Sequence, residues 1–264
     1  MIQRRTRTMN SAASSTDDAM SIMDHLKELR LRIVRSLLAV AVSTLLLLAF
    51  YDPVKRFLTQ PYRDLCNERP EFNCDGSLFV LGPLDGFSAR LRVCAYGGLV
   101  LALPVVLWQI WRFVAPALSK NEKKYAIPFI SSSIALFSVG CFLAYWTLDK
   151  ALEFLISWSG SDINQAYQIT KYISLVTAMM LSFGVGFLSP VLLVFLQLGG
   201  LVTSRTLIQQ WRFAIMAIFV IGAVITPSGD PISLLALTVP LTLLYLLAVL
   251  VGWLLTRRRP AEFS

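Results

Sequence analysis

Long apolar runs constrain this chain more than any other feature of its sequence. Several of them approach the roughly 20 apolar residues that an α-helix needs to cross a hydrocarbon core about 30 Å thick. Backbone groups in lipid must bond within their own segment, so each run is predicted to form a helix. Hydrophobic residues make up 56% of the 264 residues and charged residues only 15%, whereas soluble domains are close to a quarter charged. We therefore predict an all-α polytopic membrane protein.

Six transmembrane spans are predicted from these runs, at residues 33–51, 93–114, 127–148, 173–198, 211–226 and 232–255. The fifth is short, and the sixth is interrupted by Pro240. Together they form one six-helix bundle over residues 21–256. A disordered cytoplasmic tail is predicted at residues 1–20 because this tract is polar, and a second cytoplasmic tail at residues 257–264. The first outer loop is expected to be structured.

Basic residues predict the orientation of the bundle, because cytoplasmic loops carry an excess of lysine and arginine. With six spans, the side that holds both termini carries sixteen basic residues and the other side carries eight. Three of the sixteen lie far from the first span, yet the bias still places both termini in the cytoplasm. The net charge of +8 is spread along the ends of the spans, so membrane lipids are favoured over nucleic acid as partners of the basic face.

The sequence contains little that indicates catalysis or metal binding. Its one histidine is His25, and it has no phosphate-binding loop, zinc-binding H-E-x-x-H pair or nucleophile elbow. We therefore expect no enzymatic activity, no cofactor and no metal. The third and fourth predicted spans lack charged residues away from their ends, which argues against a proton-coupled carrier. A small-solute transporter and an intramembrane enzyme that uses His25 are the alternatives.

Two cysteines lie close together in the first outer loop, in "CNERPEFNC". If this loop is outside the cytoplasm, Cys66 and Cys74 are in a compartment that permits a disulfide. Such a bond would close a short loop and stiffen the outer cap. The sequence is compatible with both the disulfide and two free thiols.

Two acidic residues stand at the inner ends of spans, each among basic neighbours. Glu28 lies in "HLKELR", directly before the first span, and Glu122 lies in the loop between the second and third spans. The simplest interpretation of Glu28 is an ion pair with Arg32, four residues later on the same helix. For Glu122 it is a solvated loop charge balanced by the neighbouring lysines.

The motifs around both glutamates resemble those of the TatC family, a component of the twin-arginine translocase. "HLKELR" resembles the H-L-x-E-L-R signature of that family, and "PVVLWQIWRFVAPALSKNE" resembles its P-V-x-x-x-Q-x-W-x-F-x-x-P-[GA]-L-x-x-x-E element. "FGVGFLSPV" and "ITPSGDP" follow in the family's order, so the resemblance covers about residues 20–255. It implies a receptor that binds twin-arginine signal peptides and initiates the export of folded proteins.

The resemblance also implies which residues and partners take part. The carboxylates of Glu28 and Glu122 would hold the paired arginines of the signal, with Arg30, Phe113 and Pro116 at motif positions around the site. Single-span partner subunits, TatA and TatB, would join this chain in an oligomeric complex. The implied location is the bacterial inner membrane, with the thylakoid membrane as the alternative.

Further expectations concern the outer cap and the fourth span. Pro61 in "LTQPY" matches a position of the family's outer cap. The family often has glutamate or glutamine in the fourth span, linked to docking of the partner subunits, where this chain has Leu188. The contact would then be either absent in this chain or transferred to Thr177, Ser189 or Gln197.

Two small motifs have structural and functional interpretations. Asp230 in "TPSGDP" is expected to cap the helix that follows it rather than to bind a ligand. Ser182 and Gly186 form a small-xxx-small surface in the fourth span. Such a surface lets another helix approach closely, either a partner subunit or a neighbour within the bundle.

Overall fold

The computed structural model describes residues 10–72, 74, 76–114, 126–159 and 166–257, and nearly all of them are helical. The α-helices are α1 (Asn10–Ala49), α2 (Tyr51–Glu68), α3 (Asp85–Val114), α4 (Ala126–Ser159), α5 (Ile169–Leu198), α6 (Ser204–Gln209), α7 (Trp211–Ile225) and α8 (Pro231–Arg257). A 3-10 turn at Pro70–Phe72 and two short strands, β1 (Leu78–Phe79) and β2 (Tyr167–Gln168), complete the described elements.

Five helices are long and apolar enough to cross a membrane, at Leu26–Ala49, Asp85–Phe113, Ile127–Ser159, Ile169–Leu198 and Pro231–Leu255. They correspond to five of the six predicted spans. The remaining one, α7, is apolar but has only 15 residues. At about 1.5 Å per residue its length is about 22 Å, less than the roughly 30 Å of a hydrocarbon core. The fifth predicted span, and with it the total of six, therefore stays a prediction.

Helix α1 continues well beyond the first span toward the N-terminus. The sequence predicts a disordered tail over residues 1–20, whereas the helix begins at Asn10. Residues 10–25 contain neither glycine nor proline, so no strong helix breaker ends the helix in this stretch. Residues 1–9 and 258–264, which hold most of the two predicted tails, lie outside the described residues.

Helix α5 lies at the centre of the bundle and packs against α3, α4 and α8. Its contact with α4 depends on glycine. A Cβ atom at Gly140 would lie 2.7 Å from the carbonyl oxygen of Phe183, and one at Gly184 would lie 2.6 Å from the ring of Phe137. Both phenylalanines are fully buried, so the two helices approach as closely as their backbones allow.

Helices α1 and α3 pack along each other in opposite directions. Where Gly98 faces Thr44, a Cβ atom on the glycine would lie 2.7 Å from the Thr44 amide nitrogen. Both helices rise about 1.5 Å per residue, so this register places Glu28 level with Val114, the residue after Phe113. The two motifs that carry the predicted site therefore begin at the same end of the bundle.

Asp230 caps α8, as the sequence predicts. Its Oδ1 atom accepts a hydrogen bond from the Ser233 amide at 2.7 Å. Gly229, directly before it, has a φ of 62°, a left-handed conformation that glycine adopts without steric cost. The conformation of the turn between α7 and α8 is therefore set by residues of the turn itself.

The small-residue surface of α5 is covered within the bundle. The Ser182 hydroxyl donates to the carbonyl oxygen of Ile225, at the end of α7, at 3.1 Å. A Cβ atom at Gly186 would lie 3.4 Å from side-chain atoms of Leu237 and Leu241 on α8. The half-buried Ser182 and Gly186 therefore contact helices of the bundle, and approach of a partner subunit to this surface stays a prediction.

Candidate functional site

The loops before α3 and α5 form a small cap at one end of the bundle, the cap end. Strands β1 and β2 pair in parallel there. Arg69 after α2 donates to the Glu153 carboxylate on α4 at 2.6 Å. Its hydrogen bond to Glu71 and the charge of Glu153 raise the pKa of the Arg69 guanidinium. The Tyr172 hydroxyl of α5 donates to the Leu58 carbonyl of α2 at 2.9 Å, so α2 is fixed to both neighbouring helices.

The cap residues predicted from the sequence, Pro61 and the pair Cys66 and Cys74, stabilise the structure of the cap. Cys66 and Cys74 form a disulfide, which closes the chain between α2 and β1. Pro61 lies inside α2 and is buried, on the same side as Leu58 and Tyr62, which belong to the hydrophobic core. The first loop is thus an amphipathic helix with a disulfide-closed turn.

We expect replacement of both Cys66 and Cys74 by serine to destabilise the cap by about 2–3 kcal/mol, because the short closed loop regains its conformational entropy. Limited proteolysis of the purified protein should then cut within residues 66–76 faster than in the wild type. Asn67→Ser, an exposed change inside the same loop, serves as the control. Equal cleavage rates for the double-serine variant and the control would contradict the prediction.

The opposite end of the bundle holds Glu28 on α1. Its carboxylate forms an ion pair with the Arg32 guanidinium, which is the pair expected from their spacing. The Glu28 side chain is 39% exposed and that of Arg32 10%. Atoms Nε and Nη1 of Arg32 have no hydrogen-bond partner among the described residues. The pair therefore combines an accessible carboxylate with a buried cation.

Arg30 and Phe113 lie at the same end as Glu28. Arg30 is exposed on α1, whereas Phe113 is half-buried in the last turn of α3. The antiparallel packing of α1 and α3 places these residues at the same end of the bundle, although more than eighty positions separate them in the chain. A neighbouring cation on α3, Arg112, is also exposed, so the region around Glu28 is basic.

An aromatic cluster fixes the helix ends beside this region. The ring of Trp111 on α3 lies 5.1 Å from that of Phe129 on α4 and 5.8 Å from that of Phe195 on α5. The three rings line an apolar cavity of about 310 Å³. Aromatic pairs at these separations stabilise a fixed geometry, so the ends of three helices are held together here.

Glu122 and Pro116 lie outside the described residues, in the segment 115–125 between α3 and α4. Their predicted roles stay predictions. Within the described ranges, no cluster of three or more histidine, cysteine or acidic side chains could hold a metal ion.

The three residues predicted to dock partner subunits lie in different environments on α5. Ser189 is exposed and donates to the Gly186 carbonyl at 2.7 Å. Thr177 is 6% exposed and donates to the Ile173 carbonyl at 2.6 Å. Gln197 is 3% exposed. These residues do not form one accessible surface, and only Ser189 is open to a partner in this chain alone.

Gln197 instead links α5, α6 and α8. Its Nε2 atom donates to the Ala248 carbonyl at 3.1 Å, and its Oε1 atom accepts from the Ser204 hydroxyl at 2.7 Å. A Cβ atom at Gly252 would overlap Oε1, so a glycine makes room for the amide. The sequence signal for this role is a lone amide near the end of an apolar span, a pattern that by itself also fits a docking site.

Residues 24–240 match the family model described as Sec-independent protein translocase protein (TatC). The chain belongs to the TatC family. A TatC protein from Frankia casuarinae is 36% identical over 261 residues, which cover 97% of this chain and 70% of that protein. A TatC protein from Synechocystis sp. is 35% identical over 82% of each chain. A chloroplastic one from Oryza sativa subsp. japonica is 35% identical, over 87% of this chain and 62% of that protein.

Solved TatC structures share the fold. A crystal structure of the twin-arginine translocase receptor TatC matches with a TM-score of 0.73 at 33% identity, covering 88% of this chain and 100% of that one. A second, of the same receptor in DDM, has a TM-score of 0.72 at 32% identity, covering 86% and 99%. The TatC resemblance predicted from the motifs is confirmed. Membership of this family supports a translocase subunit rather than an enzyme or a small-solute transporter.

Proposed function

We propose that this chain is the signal-peptide receptor and core subunit of a twin-arginine translocase, and that it initiates the export of folded proteins. The carboxylate of Glu28 is the observation that carries the proposal. It is accessible, it lies at the end of the bundle where α3 and α4 are joined by the segment with Glu122, and it is surrounded by cations. In the proposal, Glu28 and Glu122 hold the two arginines of the signal, beside Arg30, Phe113 and Pro116.

Carboxylates distinguish arginine from lysine by geometry. A guanidinium donates two parallel hydrogen bonds to both oxygens of a carboxylate, whereas a lysine ammonium cannot match this arrangement. Two carboxylates at a fixed separation therefore recognise two arginines rather than two positive charges. The exposed cations beside Glu28, Lys27 and Arg30, repel a basic peptide that misses the carboxylates.

The glutamates provide selectivity rather than most of the affinity. Arg32 already pairs with Glu28, so an incoming arginine replaces or shares this partner. Exposed ion pairs contribute about 0–1 kcal/mol each, whereas a micromolar complex needs about 8 kcal/mol. Burial of the signal's hydrophobic run against the spans supplies the larger part, at about 25 cal/mol per Å² of apolar surface.

The proposed topology has six spans, with both termini in the cytoplasm of a bacterium and the cap outside the inner membrane. Helix α7 is the additional span, and its exposed apolar residues support this assignment, since Phe213 is 68% and Val224 81% exposed. A surface of this kind requires lipid or another helix. The single-span subunits TatA and TatB would complete an oligomeric complex, and anionic lipids would contact the basic cytoplasmic face.

We expect Glu28→Ala and Glu122→Ala each to lower the preference for an Arg-Arg over a Lys-Lys signal by up to about fivefold, because an exposed ion pair is worth up to about 1 kcal/mol. The measurement is photocrosslinking of matched Arg-Arg and Lys-Lys precursors to the full-length protein in membranes. Glu68→Ala, which removes an exposed carboxylate at the cap end, is the control. A preference that is unchanged in both variants would rule out this site.

A further inference from the structure

A lateral slot in the cap half of the bundle has an apolar lining, and a cation lies one helical turn before the lining residue Tyr96, toward the cap. The slot has a volume of about 230 Å³ and lies between α1, α2, α3 and α5. Its lining includes Leu47, Phe57, Val93, Gly97, Leu101 and Met180. We propose that this slot binds one acyl chain of an anionic phospholipid from the leaflet at the cap end, with the lipid phosphate on Arg92.

The shape of the slot fits a hydrocarbon chain. Its lining on α3 runs from Val93 to Leu101, a length of about 12 Å at 1.5 Å per residue. The volume is below the roughly 300–1,000 Å³ of pockets that enclose drug-sized molecules. Thr177, a polar residue of the lining, donates its hydroxyl to the Ile173 carbonyl. A narrow slot with this lining suits an apolar chain better than a polar metabolite.

Cations stand at the cap end of the same slot. Arg92 is exposed on α3 and hydrogen-bonds the Ser174 hydroxyl of α5. These two residues precede the lining residues Tyr96 and Thr177 by one helical turn, so they lie on the same helix faces, nearer the cap. Exposed Lys171 continues the face of α5 by another turn toward the cap. The slot is therefore apolar inside and positive at its mouth.

Arg92 is also at the depth that a lipid headgroup occupies. Arg112, the cation in the last turn of α3, comes twenty residues after Arg92. At about 1.5 Å per residue, these positions are about 30 Å apart along the helix, which equals the thickness of a hydrocarbon core. With Arg112 at one boundary of the membrane, Arg92 lies at the other. A lipid whose chain enters the slot then has its phosphate beside Arg92.

The positive charges of Arg92 and Lys171 favour an anionic phospholipid as the ligand of the slot. A guanidinium binds a phosphate through paired hydrogen bonds, and the second cation, Lys171, favours a headgroup with net negative charge over a zwitterionic one. The nearest carboxylate on this face of α3, Asp85, accepts hydrogen bonds from the Gly82 amide and the Gln168 side chain, both at 2.8 Å. The basic end of a signal peptide would be repelled by the same two cations.

Native mass spectrometry of the purified full-length protein tests the proposal, with phosphatidylglycerol and phosphatidylcholine of identical chains as probes. We expect roughly 25-fold higher retention of phosphatidylglycerol, since Arg92 and Lys171 each contribute about fivefold near an anionic lipid. Arg92→Gln should lower this preference to about fivefold, and Val100→Trp should block the slot and lower retention of both lipids. Arg63→Gln, which removes an exposed cation of α2 at the cap end, should change neither.

Arg92→Lys keeps the charge and should keep most of the preference, which separates loss of the headgroup contact from misfolding. Equal retention of the two lipids by the wild type would overturn the proposal, as would a preference in Arg92→Gln that equals that of Arg63→Gln. Displacement of bound phosphatidylglycerol by an Arg-Arg signal peptide would also overturn it, because the slot would then belong to the signal. Lipid retention is measured without export, so its outcome is independent of the proposed receptor function.

Discussion

Gly98→Leu is expected to lower capture of Arg-Arg signal peptides at least about tenfold, although residue 98 is far from Glu28. A Cβ atom at this position would overlap Thr44 Oγ1 and lie 2.8 Å from Thr44 Cα. The Cα atom belongs to the backbone of α1 and cannot swing aside, so the whole helix must shift. Overpacking of this kind costs about 1–3 kcal/mol. Because α1 carries Glu28 and α3 carries Phe113, the shift separates these two residues of the proposed site.

The matched control for this variant lies on the same helix. Gly86→Leu adds the same side chain to α3, but a Cβ atom there has no neighbour within 4 Å. Photocrosslinking to an Arg-Arg precursor, corrected for the amount of receptor in the membrane, should fall for Gly98→Leu and not for Gly86→Leu. Equal capture by the two variants would mean that the contact between α1 and α3 does not position the site.

Gln197→Leu is expected to lower the free energy of unfolding by about 2–3 kcal/mol. The leucine removes the hydrogen bonds to Ala248 and Ser204, and a buried polar group without a partner costs about 1–3 kcal/mol. Ser204 is 7% exposed and has little access to water, so α6 loses its main polar link to α5. For a protein of this size, the melting temperature should fall by about 5–10 °C.

An exposed glutamine provides the control for this second variant. Gln210→Leu makes the same chemical change at the start of α7, where the side chain is exposed. Thermal unfolding of both variants in the same detergent should show the loss only for Gln197→Leu. If its melting temperature equals that of Gln210→Leu, the links between α5, α6 and α8 do not contribute to stability.

Features set by neighbours along the chain were predictable from the sequence. The long spans follow from apolar length, because lipid offers the backbone no partner outside its own helix. The ion pair of Glu28 with Arg32 follows from a spacing of four residues on a helix. The helix-capping role of Asp230 follows from the position of this residue just before an apolar run. Each of these depends on a single helix or turn and needs no knowledge of the tertiary structure.

Features set by packing between distant segments were not predictable in this way. The sequence places Gln197 at a docking surface, but its partner Ala248 is 51 residues away, and only the fold shows that the amide is buried. The contact of Gly98 with Thr44 has no signature in either segment. Pro61 lies within a helix of the cap, although a proline in a polar loop sequence does not by itself predict a helix.

In the proposed site, the Glu28–Arg32 pair makes recognition of the signal an exchange reaction. In the empty protein the carboxylate already has a guanidinium partner, and the arriving peptide supplies another of the same kind. The buried Arg32 guanidinium competes with the peptide for the carboxylate and pairs with it again when the peptide leaves, so departure of the peptide leaves no bare anion behind. A receptor that releases each precursor protein after export benefits from this exchange, because it distinguishes signal peptides without binding them tightly.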